Sequence, residues 1–246
     1  MGDALEFDEL QAYFGEDYVV TDKIRVHSPT LGDVIKYGER RYYSLLYLLT
    51  AIPSDMKSYL FDAGIDYEEI SDFDLFCSLT RGLPPERTSI FLDGVDFSHM
   101  ELCQFENGER ALADPETGTV IDKFVYLKIV TFLRKIHGLK PKVEHAANKT
   151  TKRILIELDR QKHKKKSKEE YTSQLKPLIS AMMRYPGFKY KSAELRECSL
   201  YEFMDTVRGA HIYVQSTALL KGMYSGMIDT SKINKKQFDW ARDSNE

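Results

Sequence analysis

The chain has 246 residues, 42% apolar and 30% charged, which is enough to bury one large core or two small ones and too apolar for a disordered chain. Charge is split by position: residues 1–100 carry 19 acidic and 8 basic side chains, a net of −11, and residues 101–246 carry 19 acidic and 27 basic, a net of +8. Three scattered cysteines (Cys77, Cys103, Cys198) exclude a disulfide framework or zinc knuckle, and no apolar run approaches the length of a membrane span.

The first twenty residues alternate acids and aromatics without a period and predict a loose arm with a short helix. They lack the apolar run of a secretory signal, which predicts a soluble protein of a reducing interior. Thr30 followed by Asp33 predicts a capped helix over Leu31–Tyr37, Gly38 interrupts it, and a second helix covers Arg40–Thr50. Pro53-Ser54 opens a helix over Asp55–Ala63 that Gly64 ends, and Ser71 with Asp74 starts another that stops at Gly82. Ser89–Leu92 is β-prone, and Asp93-Gly94 after it is a hairpin signal. Glu101–Glu106 and Glu109–Ala113, joined at Asn107-Gly108, predict a second hairpin.

Asp122 predicts the cap of a helix over Lys123–Ile136, with Phe124, Leu127, Val130, Thr131 and Leu133 supplying its faces. Residues 147–166 predict a helix with Ile154, Leu155 and Leu158 on one side and lysines on the other. It runs into the cluster QKHKKKSK (Gln161–Lys168), after which Ser167 with Glu170 predicts a fresh helix start and Pro177 a kink. Ser199 with Glu202 predicts the start of the longest helix, Leu200 to about Ser225, with Phe203, Val207, Ile212, Val214, Ala218 and Leu219 on its apolar side. Lys235–Arg242 predicts a last short helix.

Together these elements predict a mostly α protein with a small antiparallel β insert (α+β). Residues 1–145 form an acidic helical part with the insert near 89–121, residues 146–170 a basic helical connector, and residues 171–246 a helical C-terminal part.

No phosphate-binding glycine loop, nucleophile elbow or HExxH zinc motif is present, and the six histidines include no i, i+4 pair. The pattern therefore predicts no catalytic residues, no cofactor and no metal. The acidic run Asp66, Glu68, Glu69, Asp72 and Asp74 has two readings: a divalent-cation site without EF-hand spacing, or charges that favour the start of the helix after Ser71. Candidate partner-binding residues fall in two groups. Lys162, Lys164, Lys165, Lys166 and Lys168 suit phosphates, an acidic protein or a solvated helix end, and no aromatic interleaves them for base stacking. Met223, Tyr224, Met227, Phe238 and Trp240 place adaptable apolar bulk near the C-terminus, as core or as an interface.

Four stretches, PTLGDVIKYGERRYYSLL (Pro29–Leu46), IPSDMKSYLFDAGIDYEEISDFDLFCSL (Ile52–Leu79), MMRYPGFKY (Met182–Tyr190) and STALLKGMYSGMIDT (Ser216–Thr230), resemble tail-module proteins of phages and prophages of Gram-positive bacteria. The chain is similar to their tail assembly chaperone class. The resemblance implies a non-enzymatic protein of the host cytoplasm that binds the tape measure protein, the tail tube protein or both. It also admits a homo-oligomer and no membrane. The alternatives are a structural or tail-completion protein of the virion and a nucleic-acid-binding accessory protein using the basic connector.

Overall fold

In the computed structural model, which describes residues 8–105 and 108–243, polar caps begin most of the longer helices. Helix α1 (Glu9–Tyr13) starts on the Asp8 carboxylate, and β1 (Tyr18–Val19) and β2 (Arg25–Val26) follow as an antiparallel pair. Thr30 and Asp33 form the expected reciprocal box at α2 (Leu31–Tyr37), and Gly38 at φ +96° separates it from α3 (Glu39–Thr50). A 3-10 turn, Pro53–Asp55, leads to α4 (Lys57–Asp62); Ser71 caps α5 (Asp72–Thr80), and α6 (Pro85–Thr88) is one turn. The strands β3 (Leu92–Asp93), β4 (Glu101–Gln104), β5 (Arg110–Ala113) and β6 (Val120–Ile121) precede α7 (Lys123–Ile136), which Asp122 caps. Then come α8 (Lys149–Lys168) capped by Asn148, α9 (Leu175–Arg184), α10 (Ser192–Glu197) and α11 (Leu200–Tyr224) capped by Ser199, followed by 3-10 turns at Thr230–Lys232 and Lys235–Phe238. Each such side-chain cap satisfies a backbone N–H that the helix leaves unpaired, worth about 1 kcal/mol.

The fold is mostly α with two three-stranded antiparallel sheets, β1-β2-β3 and β4-β5-β6. The second is the predicted hairpin in register Glu101↔Ala113 to Gln104↔Arg110, extended by β6. Glu106 and Asn107 of its turn lie outside the described residues; Gly108 has φ +84°. The first sheet was not predicted. Asp93-Gly94 does not turn a hairpin: Leu92 and Asp93 pair with Val26 and Arg25, far back in the chain. Gly94 is required for another reason. At φ +77° a Cβ there would lie 1.8 Å from the Lys23 carbonyl oxygen.

From residue 8 onward the expected N-terminal arm is packed, with Ala12 and Val20 buried and Tyr18 stacked on Phe132 at 5.1 Å; its residues 1–7 lie outside the described residues. Pro177 makes no kink, because it falls in the first turn of α9, where an amide N–H would have no intrahelical partner. That turn is capped across the chain by Glu39, whose Oε1 accepts from the N–H groups of Gln174 (2.7 Å) and Leu175 (2.9 Å).

Helix α7 is the axis of the core. Val125, Tyr126, Ile129, Val130, Phe132, Leu133 and Ile136 are buried between α3 and both sheets, each worth roughly 2 kcal/mol of transfer free energy. Phe124, expected on the apolar face, is exposed. One hydrophobic cluster runs from Ala12 to Phe203 and includes Leu175, Met182, Leu195, Cys198 and Leu200 from the C-terminal third. The starts of α2 and α11 are tied by backbone bonds from Leu31 N to Cys198 O (3.0 Å) and Leu200 N to Pro29 O (2.9 Å).

Candidate interaction surfaces

Helix α8 lies antiparallel on α4, and a mixed stripe holds it there. Lys152, Ile156 and Arg160 recur every four residues and so share one face. Ile156 is buried with Leu60, Tyr67 and Leu75 in a second, small cluster. Lys152 reaches Asp66 and Glu68, each at 2.5 Å, and Arg160 reaches Asp62 at 2.5 Å. Burial alone would lower the Lys152 ammonium, but the two carboxylates raise it to about 12. Asp159 Oδ2 accepts from the backbone N–H and the hydroxyl of Ser58 (2.9 and 2.7 Å), an added cap at the start of α4. The face expected to be apolar points elsewhere: Ile154 is 55% and Leu158 56% exposed.

The acidic run Asp66–Asp74 is therefore divided among structural tasks. Asp66 and Glu68 receive α8, while Asp74 accepts from the Ser71 hydroxyl (2.8 Å) and pairs with Arg110 at 2.8 Å. Among the described residues no group of three or more His, Cys, Asp and Glu side chains is placed to hold a metal ion.

Beyond Arg160 the helix leaves the body, and residues 161–170 are all exposed. Ser167 does not start a new helix; its hydroxyl donates to the Lys164 carbonyl (3.0 Å) inside α8, which runs to Lys168. Lys162, Lys164, Lys165, Lys166 and Lys168 thus occupy its last two turns. A cleft of about 460 Å³ separates this end from the body, lined on one wall by Asp159, Lys162, His163 and Lys166 and on the other by Tyr47, Ser54, Asp55, Lys57, Lys142 and Glu144. Glu144 bridges Lys57 (2.9 Å) and Lys142 (3.0 Å), and those ammonium donors, Lys57 first, pull its carboxyl down to about 2.

The second candidate surface is the distal half of α11. Its first turn is anchored by buried Leu200, Tyr201 and Phe203, but Ser216 is the only fully buried side chain among residues 211–224. The Ser216 hydroxyl donates to Gln237 O (2.9 Å), folding the C-terminal segment back along the helix, with Tyr213 edge-on to Trp240 at 6.3 Å. Met223 and Phe238 are half-buried in this fold-back, while Tyr224 (81%), Met227 (85%) and Trp240 (61%) stay exposed. Tyr213 and Val214 join them at the surface, although periodicity placed Val214 inside. The sequence-predicted C-terminal residues therefore gather on one helical arm, separate from the lysines of α8. Lys235–Arg242 is helical only as the 3-10 turn Lys235–Phe238.

Glu202, Cys198 and His137 make internal contacts. Glu202 turns from the expected capping box and accepts from the Tyr190 hydroxyl and from Cys198 Sγ (3.2 Å). Burial, with Glu202 beside it, pushes the Cys198 thiol up to about 12, so it is no thiolate nucleophile. His137 is held in the core between Tyr42 and the Leu133 carbonyl. Among the described residues no helix is long and apolar enough to cross a membrane. Set against family models, curated proteins and solved structures, the chain matches none.

Proposed function

We propose that this chain is a non-enzymatic binding protein of the tail assembly chaperone class, acting in the host cytoplasm on phage tail proteins. The observation that supports it is the α11 arm: a helix that leaves the core with Tyr213, Val214, Tyr224, Met227 and Trp240 exposed along it. Large apolar side chains exposed along one projecting helix and its fold-back support a contact role. Methionine and aromatic side chains repack against varied partners, and a helical ridge pairs with the apolar face of an amphipathic helix. The occupant we assign is a helical segment of the tape measure protein, whose long amphipathic helices need cover until tube subunits enclose them. Release at that stage favours a small, polar-rimmed contact over a large one, and the arm offers one.

The test is co-expression with a tape measure protein of a long-tailed phage, scoring the client's soluble fraction. Wild-type chain is expected to keep the client soluble. The pair Tyr224→Glu and Met227→Glu, at positions too exposed to affect the fold, is expected to return it to the pellet. A client that is equally soluble alone, or equally soluble with the doubly substituted chain, refutes the assignment.

A further inference from the structure

We infer that the free end of α8 is a sequence-independent binding site for the phosphate backbone of duplex DNA. This goes beyond tail-protein binding and rests on a different surface from the α11 arm. In the docked half of α8 the cations Lys152 and Arg160 are matched to carboxylates, while Lys149 and Arg153 are not ion-paired among the described residues. In the free half none of Lys162, Lys164, Lys165, Lys166 and Lys168 forms an ion pair among the described residues. Three nearby acids are already engaged: Asp159 with Ser58 and His163, Glu144 with Lys57 and Lys142, and Glu157 with Arg160. Glu169 and Glu170, directly after the run, are exposed, so the five lysines outnumber the carboxylates left beside them and the free end is net positive.

The arrangement of that charge selects the partner. Successive helical residues step by about 100°, so Lys162 and Lys166 fall on one side, Lys164 and Lys168 on the opposite side, and Lys165 between them. Lys162 and Lys166 line the cleft with Lys57 and Lys142 and with Asp55, Glu144 and Asp159, and Lys164 lines the groove on the α4 side with Tyr59 and Asp62. A flat acidic protein surface would meet only one of these sides. The major groove of duplex DNA is about 12 Å wide with phosphates along both walls, and eight projecting residues reach about 12 Å, enough to lie across it.

Single-stranded nucleic acid is a poorer match, because Gln161–Lys168 holds no aromatic and the next, Tyr171, lies under the Arg40 guanidinium (5.9 Å). Base reading is also absent. The run has no arginine, and its one amide, Gln161, donates to Glu157 (3.3 Å), so lysine contacts to phosphate carry the affinity and no sequence preference.

The experiment is fluorescence anisotropy of the full chain with labelled duplexes of two unrelated sequences, at several salt concentrations. Five phosphate contacts predict a log K against log salt slope of about −4 to −5, equal for both duplexes. The triple substitution K164Q, K165Q, K166Q keeps good helix formers on exposed turns and is expected to flatten the slope to about −2. Circular dichroism confirms that the variant is folded. The inference is overturned by no saturation at about 100 µM protein in low salt, the weak end of non-specific binding. It is overturned equally by a slope the triple substitution leaves unchanged, by tighter binding of single strands than duplex, or by polyglutamate of equal charge displacing the duplex. The last result would make the free end a site for an acidic protein.

Discussion

His137 caps the C-terminal end of α7, where the helix dipole favours a cation, yet it is enclosed by Tyr42, Phe91 and Leu133. Its Nδ1 faces the Leu133 carbonyl at 2.7 Å, so that nitrogen carries the proton, and Nε2 accepts from the Tyr42 hydroxyl at 2.6 Å. Burial outweighs the bond to Leu133 and lowers the imidazole from 6.5 to about 4. Between those values the unfolded chain binds a proton that the folded chain refuses. The stabilisation is therefore complete above about pH 6.5 and is lost as pH falls toward 4; the full difference is worth about 3 kcal/mol, of which about 2 is gone by pH 5. Urea unfolding at pH 7 and pH 5 measures it, in a window where most carboxylates stay ionised in both states. His137→Gln lowers stability at both pH values but removes most of the difference between them. A direct check is the proton NMR titration of the His137 ring. The reasoning fails if that ring titrates near 6.5 in the folded protein, or if the variant keeps the wild-type difference.

Two stability predictions separate backbone strain from collision and local docking from global folding. Gly64 and Gly94 both have φ near +76° by their values of +75° and +77°, but only Gly94 has backbone within reach of a Cβ. Gly64→Ala is expected to cost about 1–2 kcal/mol of left-handed strain, and Gly94→Ala several kcal/mol more because the Lys23 carbonyl must move; equal losses in thermal melts would contradict this. Ile156→Ala removes the apolar centre of the α8–α4 contact, costing about 2–4 kcal/mol by cavity formation. Its effect is expected as faster amide exchange in α8 and α4 with α7 still protected; uniform exchange across all three helices would show that α8 belongs to the main cooperative unit.

Much of the helical frame was legible because it is written in single residues at fixed places. Thr30, Ser71, Asp122 and Ser199 each cap the helix assigned to them, and Gly64 follows the end of its own. The first sheet was not legible: its strands are two residues long, too short for a period of two to register, and β2 finds its partner β3 from residue 92 onward. The buried face of α8 was missed for a different reason. Hydrophobic periodicity pointed to Ile154 and Leu158, whereas docking uses one isoleucine flanked by two cations whose partners are carboxylates 86 and 98 residues away in sequence. The lysines of Gln161–Lys168, with Tyr224, Met227 and Trp240, are exposed, whereas Met223 and Phe238 of the same C-terminal group are half-buried. That they lie on two separate projecting helix ends depended on tertiary packing that no local pattern records.

The charge division of the chain acquires a physical meaning from this docking. Part of the contrast is resolved within the molecule, where the first part of α8 is drawn onto Asp62, Asp66 and Glu68. That attachment engages Asp62, Asp66 and Glu68, and by antiparallel packing it directs the lysines of Gln161–Lys168 past the start of α4, where Lys162, Lys164 and Lys166 line the clefts beside the body. A like-charged helix end is destabilised by its own repulsion unless an anion or the helix dipole offsets it. Lys165, Lys166 and Lys168 in the last turn gain from the dipole, but Lys162 and Lys164 lie before it and gain little, since the effect fades within one turn. The helix therefore persists to Lys168 on the strength of its docked half, and an external polyanion would stabilise the exposed half further. Fraying of residues 161–168 that is suppressed by duplex DNA but not by sodium chloride of equal ionic strength is the dynamic counterpart of that account, and hydrogen exchange at those amides reads it directly.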